Sequence, residues 1–148
     1  MDDQQDFKEL LALFNALHVK YIIVGGYALA FHGAPRMTGD IDIFVEPSDD
    51  NAIKVLKALK KFGFGNIGLK IEDFSQKNNV IQLGYPPVRI DLLTSLTGVS
   101  WGKAYAAKEK GKYGGLPVFF ISRGLLLKNK RSVGRKKDQA DLEALGES

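Results

Sequence analysis

The chain of 148 residues contains no cysteine, so it forms no disulfide and offers no thiolate to a metal. Any bound metal must be held by oxygen or by one of the two histidines, which favours Mg²⁺ or Mn²⁺ over structural zinc. No apolar run approaches the roughly 20 residues of a membrane span. The opening residues, Met1-Asp2-Asp3-Gln4-Gln5-Asp6, are acidic, the opposite of a signal or transit peptide. The chain has no Walker-type phosphate loop, dinucleotide fingerprint or His-Glu-x-x-His zinc motif. It also lacks repeats and low-complexity tracts. The expectation is a soluble, cytoplasmic protein with no membrane contact. A composition of 45% hydrophobic and 26% charged residues excludes a disordered or fibrous chain. The length allows a single domain, residues 1–148, with one real core.

What is present is concentrated in two places. A net charge of +4 conceals an asymmetry, because eleven of the 21 Lys and Arg residues lie between Lys103 and Lys137, where Glu109 is the one acid. Such a stretch is either a solvated face or an attractor for a triphosphate or a nucleic acid. The other concentration is Gly25-Gly26, followed by Asp40-Ile41-Asp42-Ile43. A glycine pair after the apolar run Tyr21 to Val24 lets a strand turn sharply with no Cβ in the way of a ligand. Tyr27 to His32 then reads as one or two helical turns, whose first N–H groups are suited to a phosphate. In a strand from Asp40 to Val45, Asp40 and Asp42 share one face while Ile41 and Ile43 take the other. Two carboxylates about 7 Å apart along a strand repel unless a cation lies between them.

Helical spacing of Phe7, Leu10, Leu11 and Phe14 predicts an N-terminal helix over 5–18. Ser48 or Asp49 caps a helix carrying Ile53, Val55, Leu56 and Leu59, closed by Gly63 and Gly65. Residues 66–78 are expected to hold a weak strand or loop around Ile67 to Ile71. Val80 to Leu83 and Val88 to Leu93 are strands joined by Gly84-Tyr85-Pro86-Pro87. A helix over 101–109, a strand over Val118 to Ile121, and two helices within 122–146, the first capped by Ser122, complete the chain. The βαβ alternation over a core of 20–121 indicates an α/β (α+β) layer fold.

Holding two cations with open positions for substrate needs a third carboxylate. Asp91 is the candidate, since it is an acid amid an apolar strand; the alternative is a salt bridge to Arg89, on the same face, or to a nearby lysine. Arg36 offers a planar fork of donors to a triphosphate, and Thr38 stands between it and the Asp strand. His18 and His32 are expected to serve packing or the surface. Trp101, Tyr105 and Tyr113 either stack a base or, as aromatics more commonly do, pack.

Gly25-Gly26, Arg36-Met37-Thr38 and Asp40-Ile41-Asp42-Ile43 together resemble the signature of the polymerase-β-like nucleotidyltransferases. Within that superfamily, GGxALAxHG…RxTxDIDI is similar to the small enzymes related to abortive-infection toxins of toxin–antitoxin systems. The likeness covers roughly residues 20–142. Many members carry Gly-Ser where this chain has Gly25-Gly26, which marks a subfamily. The resemblance implies a mixed sheet with flanking helices. It also implies two divalent ions (Mg²⁺ or Mn²⁺) on Asp40, Asp42 and Asp91, and transfer of a nucleoside monophosphate from ATP or another triphosphate. Gly25, Gly26, Arg36 and Thr38 then face the nucleotide. The run from Lys128 to Leu142 resembles the subfamily's closing motif, which would set Lys128 on the phosphates and Asp138 near the reacting groups. The alternative for Asp138 is a helix cap, and for Asp141 an i,i+3 pair. The acceptor expected is RNA, tRNA or protein, with a protein partner allowed. Two rivals stand beside the enzyme: a silent nucleotide-binding module, and a basic nucleic-acid-binding protein.

Overall fold

The computed structural model describes residues 4–34, 39–85 and 88–147. Its centre is a six-stranded sheet in the order β3-β4-β2-β1-β6-β5. The strands are β1 (Tyr21–Val24), β2 (Asp40–Val45), β3 (Val80–Tyr85), β4 (Val88–Leu93), β5 (Glu109–Tyr113) and β6 (Leu116–Phe120). Three antiparallel pairs, β1/β2, β3/β4 and β5/β6, are joined through two parallel contacts, β2 with β4 and β1 with β6. The sheet is therefore mixed, and helices flank it: α1 (Gln5–Ala16), α2 (Gly25–Phe31), α3 (Asp49–Leu59), α4 (Ile71–Ser75), α5 (Trp101–Ala106), α6 (Arg123–Val133) and α7 (Lys136–Ala144). It is one domain built around one core.

Burial follows the alternation expected of β2. Ile41, Ile43 and Val45 are fully buried, and α1 contributes Phe7, Leu10, Leu11 and Phe14 to the same core. Phe14 meets the Tyr21 ring at 5.7 Å between centroids. Each of these large side chains contributes about 1.5–3 kcal/mol by leaving water. The starts of α3, α5 and α6 are fixed by serine hydroxyls. The Asn51 N–H donates to Ser48 Oγ at 3.2 Å and the Leu125 N–H to Ser122 Oγ at 3.3 Å, each satisfying an otherwise orphaned donor.

Two segments differ from the sequence reading. Residues 67–70 are loop, one of the two alternatives, but Ile71–Ser75 form the unexpected α4, whose first turn is tied by the Lys70 N–H donating to Asp73 Oδ2 at 2.8 Å and anchored by buried Phe74. The helix expected over 101–109 stops at Ala106, and Glu109 begins the edge strand β5. Its sequence, Glu-Lys-Gly-Lys-Tyr, lacks a strand pattern because most of it faces solvent. Gly111 is required there: a Cβ would meet the ring of Phe31 at 2.6 Å, and Phe31 stacks on Phe120 with centroids 4.2 Å apart. Gly114-Gly115 thus closes a β5–β6 hairpin, with both residues at positive φ. After α3 the chain makes a π-helical turn over Lys60–Phe64, with Gly63 at φ 115°.

Among the described residues, no helix is long and apolar enough to cross a membrane.

Candidate active site

The glycine turn and the aspartate strand meet because β1 and β2 are antiparallel neighbours, with Val24 directly opposite Asp42. Gly25 follows at φ +67°, a conformation that disfavours any residue with a side chain. A Cβ at this position would fall on the Asp42 carboxylate. Gly25 therefore serves two needs at once: the backbone turns into α2, and the chain comes directly against Asp42. Gly26 is buried behind it in the first turn of α2.

Parallel pairing of β2 with β4 supplies the third acid. Asp42 is in register with Asp91, and Asp40 with Arg89. All four side chains emerge on one face, as the two-residue period of each strand requires. The Asp42 and Asp91 carboxyl groups are within hydrogen-bonding reach of each other. Arg89 lies across the group: Nε reaches Asp91 Oδ1 and Nη2 reaches Asp91 Oδ2, both at 3.2 Å, and Nη2 is 3.5 Å from Asp40 Oδ2. The Arg89–Asp91 pair, the alternative considered for Asp91 from sequence, is present.

Asp42 stands among like charges on this face. Burial is the largest effect on Asp42, followed by the charge of Asp91, their mutual hydrogen bond and the charge of Asp40. Together they push the Asp42 carboxyl up to about 6, opposed by the Lys137 ammonium from the first turn of α7. Lys137 was not singled out from the sequence, because it sits in a basic run where no single lysine stands apart. Only the fold brings one of them to Asp42.

The remaining candidates are distributed differently. Arg36 and Thr38 lie outside the described residues. Lys128 is exposed on α6, its carbonyl accepting from Ser132 Oγ at 2.7 Å. The structure gives it no contact with the three aspartates among the described residues. Asp138 is sealed between α6 and α7 with a side-chain exposure of 1%. It accepts the Arg135 N–H at 3.1 Å and Arg135 Nε at 2.8 Å, and lies 3.4 Å from Lys130 Nζ. Lys130 is itself buried and reaches Asp141 at 3.0 Å, so Asp141 pairs across to α6. Burial raises the Asp138 carboxyl, but the Arg135 hydrogen bonds and the Lys130 and Arg135 charges outweigh it and hold the group below the ordinary carboxylate range. His32 is a packing residue whose Nε2 is 2.7 Å from the Ile121 carbonyl. Trp101 stacks on Tyr105 and sets its edge to Phe44.

At the Lys20 end of β1, away from the aspartates, lies a cleft of about 410 Å³ lined by Lys20, Lys54, Tyr105, Lys110 and Phe119 among others. Lys108 Nζ stands 3.8 Å from the Tyr105 ring centre beside it.

Comparison with known proteins accords with this geometry. Three solved structures share the fold. A protein described as a nucleotidyltransferase from Thermotoga maritima superposes with a TM-score of 0.65 at 13% identity, over 93% of this chain and 88% of that one. The lincomycin-bound lincosamide antibiotic adenylyltransferase LnuA gives 0.59 at 14% identity, over 98% of both chains. The antibiotic-resistance factor ANT(2'')-Ia gives 0.61 at 12% identity, over 95% of this chain and 80% of its own. No curated protein sequence matches the chain. The model of one sequence family, described as the nucleotidyl transferase AbiEii toxin of type IV toxin–antitoxin systems, matches residues 10–123, which include the glycine turn and all three aspartates. The chain belongs to the AbiEii nucleotidyltransferase family and is a transferase of that kind.

Proposed function

We propose that the protein transfers a nucleoside monophosphate from a nucleoside triphosphate to a hydroxyl on RNA, with Asp40, Asp42 and Asp91 as the ligands of two divalent cations. The observation that carries this reading is the charge imbalance at Asp42, a carboxyl pushed up by burial and by two like charges, with the Gly25 backbone pressed against it. A donor set made only of carboxylate oxygens suits a hard cation such as Mg²⁺ or Mn²⁺. Among the described residues no three acidic or histidine side chains already form a metal cage. The fit is one of chemistry and charge, with rearrangement needed at Asp91. Bound there, the ions would lower the acceptor hydroxyl's pKa and neutralise the leaving phosphates.

The chain's own residues account for the rest. The turn at Gly25-Gly26 admits the phosphates close to backbone, with nothing larger than hydrogen at Gly25. The acceptor oxygen attacks the α-phosphorus in line, a new P–O bond forms, and the bond to the β-phosphate breaks as pyrophosphate departs. Lys137 brings positive charge to the site from α7, and Lys128 with Arg36 and Thr38 are further candidate phosphate contacts. Buried Asp138 acts by holding the first turn of α7, and hence Lys137, in place.

RNA is favoured as acceptor by the Lys20–Lys54–Lys110 cleft, where cationic and aromatic side chains alternate as single-stranded nucleic acid requires. The family's description adds the reading that the enzyme is the toxin of a toxin–antitoxin pair. The test is calorimetry of each of the four triphosphates with and without Mg²⁺, followed by radiolabelled transfer onto total RNA and onto protein extract. Binding should require metal, and label should appear on RNA. Equal affinity without metal would remove the two-metal reading, and label on protein alone would replace the acceptor.

A further inference from the structure

Arg89 is placed where a site for cations would least be expected to hold an organic one. Its guanidinium forks onto both oxygens of Asp91 and reaches Asp40, so the two outer carboxylates of the group share one positive charge. A bidentate fork of this kind is the strongest arrangement of that pair of side chains. While Arg89 forks onto both oxygens of Asp91, a divalent cation meets only their remaining lone pairs and is repelled by the guanidinium charge beside them. The way out is open. The Arg89 side chain is 32% exposed, and the residue opposite it on edge strand β3 is Gly84, which presents no side chain to confine it.

We propose that Arg89 is an internal counter-ion: it holds the three aspartates together in the metal-free protein and surrenders Asp91 when a divalent cation arrives. This rests on the metal-binding reading of Asp40, Asp42 and Asp91. Metal binding is then an exchange of one cation for another, and the free protein binds metal weakly because Arg89 must first be displaced. A bound triphosphate would favour the exchange, since its phosphate oxygens offer the released guanidinium a new partner.

The test uses the nucleotide-free protein and Mn²⁺ alone, with bound Mn²⁺ read by electron paramagnetic resonance and stability by thermal melting. Arg89→Ala should bind Mn²⁺ about tenfold more tightly than the parent, a shift of roughly 1.4 kcal/mol. Without metal it should melt lower than the parent, and Mn²⁺ should restore more of its melting temperature than it adds to the parent's. Arg89→Lys, which keeps a charge but loses the fork, should fall between them; it carries the comparison if Arg89→Ala does not fold. Mn²⁺ affinity unchanged or weakened in both variants would overturn the proposal while leaving the metal site standing. Asp42→Asn made in the Arg89→Ala background separates the two readings. If that double variant binds Mn²⁺ as tightly as Arg89→Ala, the metal is not at this cluster, and the metal reading falls together with the counter-ion role.

Discussion

Two clusters of acids among the described residues differ in one respect. On the β2–β4 face, Asp40 and Asp91 are paired with Arg89 among the described residues, and Lys137 acts on Asp42 from α7. Between α6 and α7, Asp138 and Asp141 are matched by Lys130 and Arg135. The first cluster drives Asp42 up to about 6 and the second pulls Asp138 down. A balanced buried cluster spends its interactions on holding two helices together. A cluster of crowded like charges is costly to the apo fold and is relieved by a further cation or by a proton. The contrast separates an anchoring role from a ligand-binding one using charge and burial alone.

Asp42→Asn should break the comparison most visibly. Transfer should fall by roughly a thousandfold, because metal stabilisation of transition-state charge is worth several kcal/mol. The fold should be no less stable. Since the folded-state pKa of Asp42 is raised, its contribution is fully present below the ordinary carboxylate range near 4 and is lost as pH climbs through about 6. Melting curves of the parent should therefore decline across that window more than those of Asp42→Asn; superimposable pH profiles would remove the imbalance argument.

Asp138→Ala should do the opposite. It leaves buried Lys130 with Asp141 alone and should cost about 3–5 kcal/mol of stability by denaturant unfolding. Because the folded pKa of Asp138 is lowered, its contribution holds above the ordinary range and disappears only in acid, as pH falls from about 4 through the lower folded value. A stable variant that has lost turnover would transfer Asp138 from the anchor to the chemistry.

Gly25→Ala probes the shape of the first cluster instead of its charge. The positive φ costs about 1–2 kcal/mol, and the added methyl must displace the Asp42 carboxylate. Displacements near 1 Å lower turnover by about a hundredfold, to be measured at saturating triphosphate. The smallest effect is expected from neutralising Lys54, Lys108 and Lys110 to Gln. RNA association should weaken and its salt slope drop by about two, with triphosphate binding unchanged. If the parent shows no RNA binding at low salt, the cleft has another use.

Much of the first cluster was legible in the sequence because its signals are local. A glycine pair after an apolar run and acids two apart in a strand each declare themselves within a few residues, and Ser48 and Ser122 mark helix starts in the same way. The hairpin from Val80 to Leu93 was equally plain, since prolines mark its turn. The second cluster was only half legible. Asp138 could be read as a cap, but Lys130 is one of several cations in a run, and nothing in sequence distinguishes the one that will be buried. Pairings across long distances were not legible at all: the reach of Arg89 to Asp40 depends on β2 and β4 being parallel neighbours, and that of Lys137 to Asp42 on where α7 docks. Strand β5 escaped because an edge strand needs no apolar face, and α4 because five residues carry too little periodicity to register.

The parallel pairing of β2 with β4 also has a kinetic consequence. Asp42 and Asp91 become neighbours only after α3, α4 and β3 have been traversed and β4 has returned to the centre of the sheet. Closing so long a loop is paid in chain entropy before any contact rewards it. During refolding Asp91 should stay apart from Asp40 and Asp42 until late, so its repulsion with them is absent from the early collapse and opposes only the last docking step. Pulsed amide labelling should show the antiparallel β1–β2 pair protected before β4, with catalytic competence appearing in step with the slower strand.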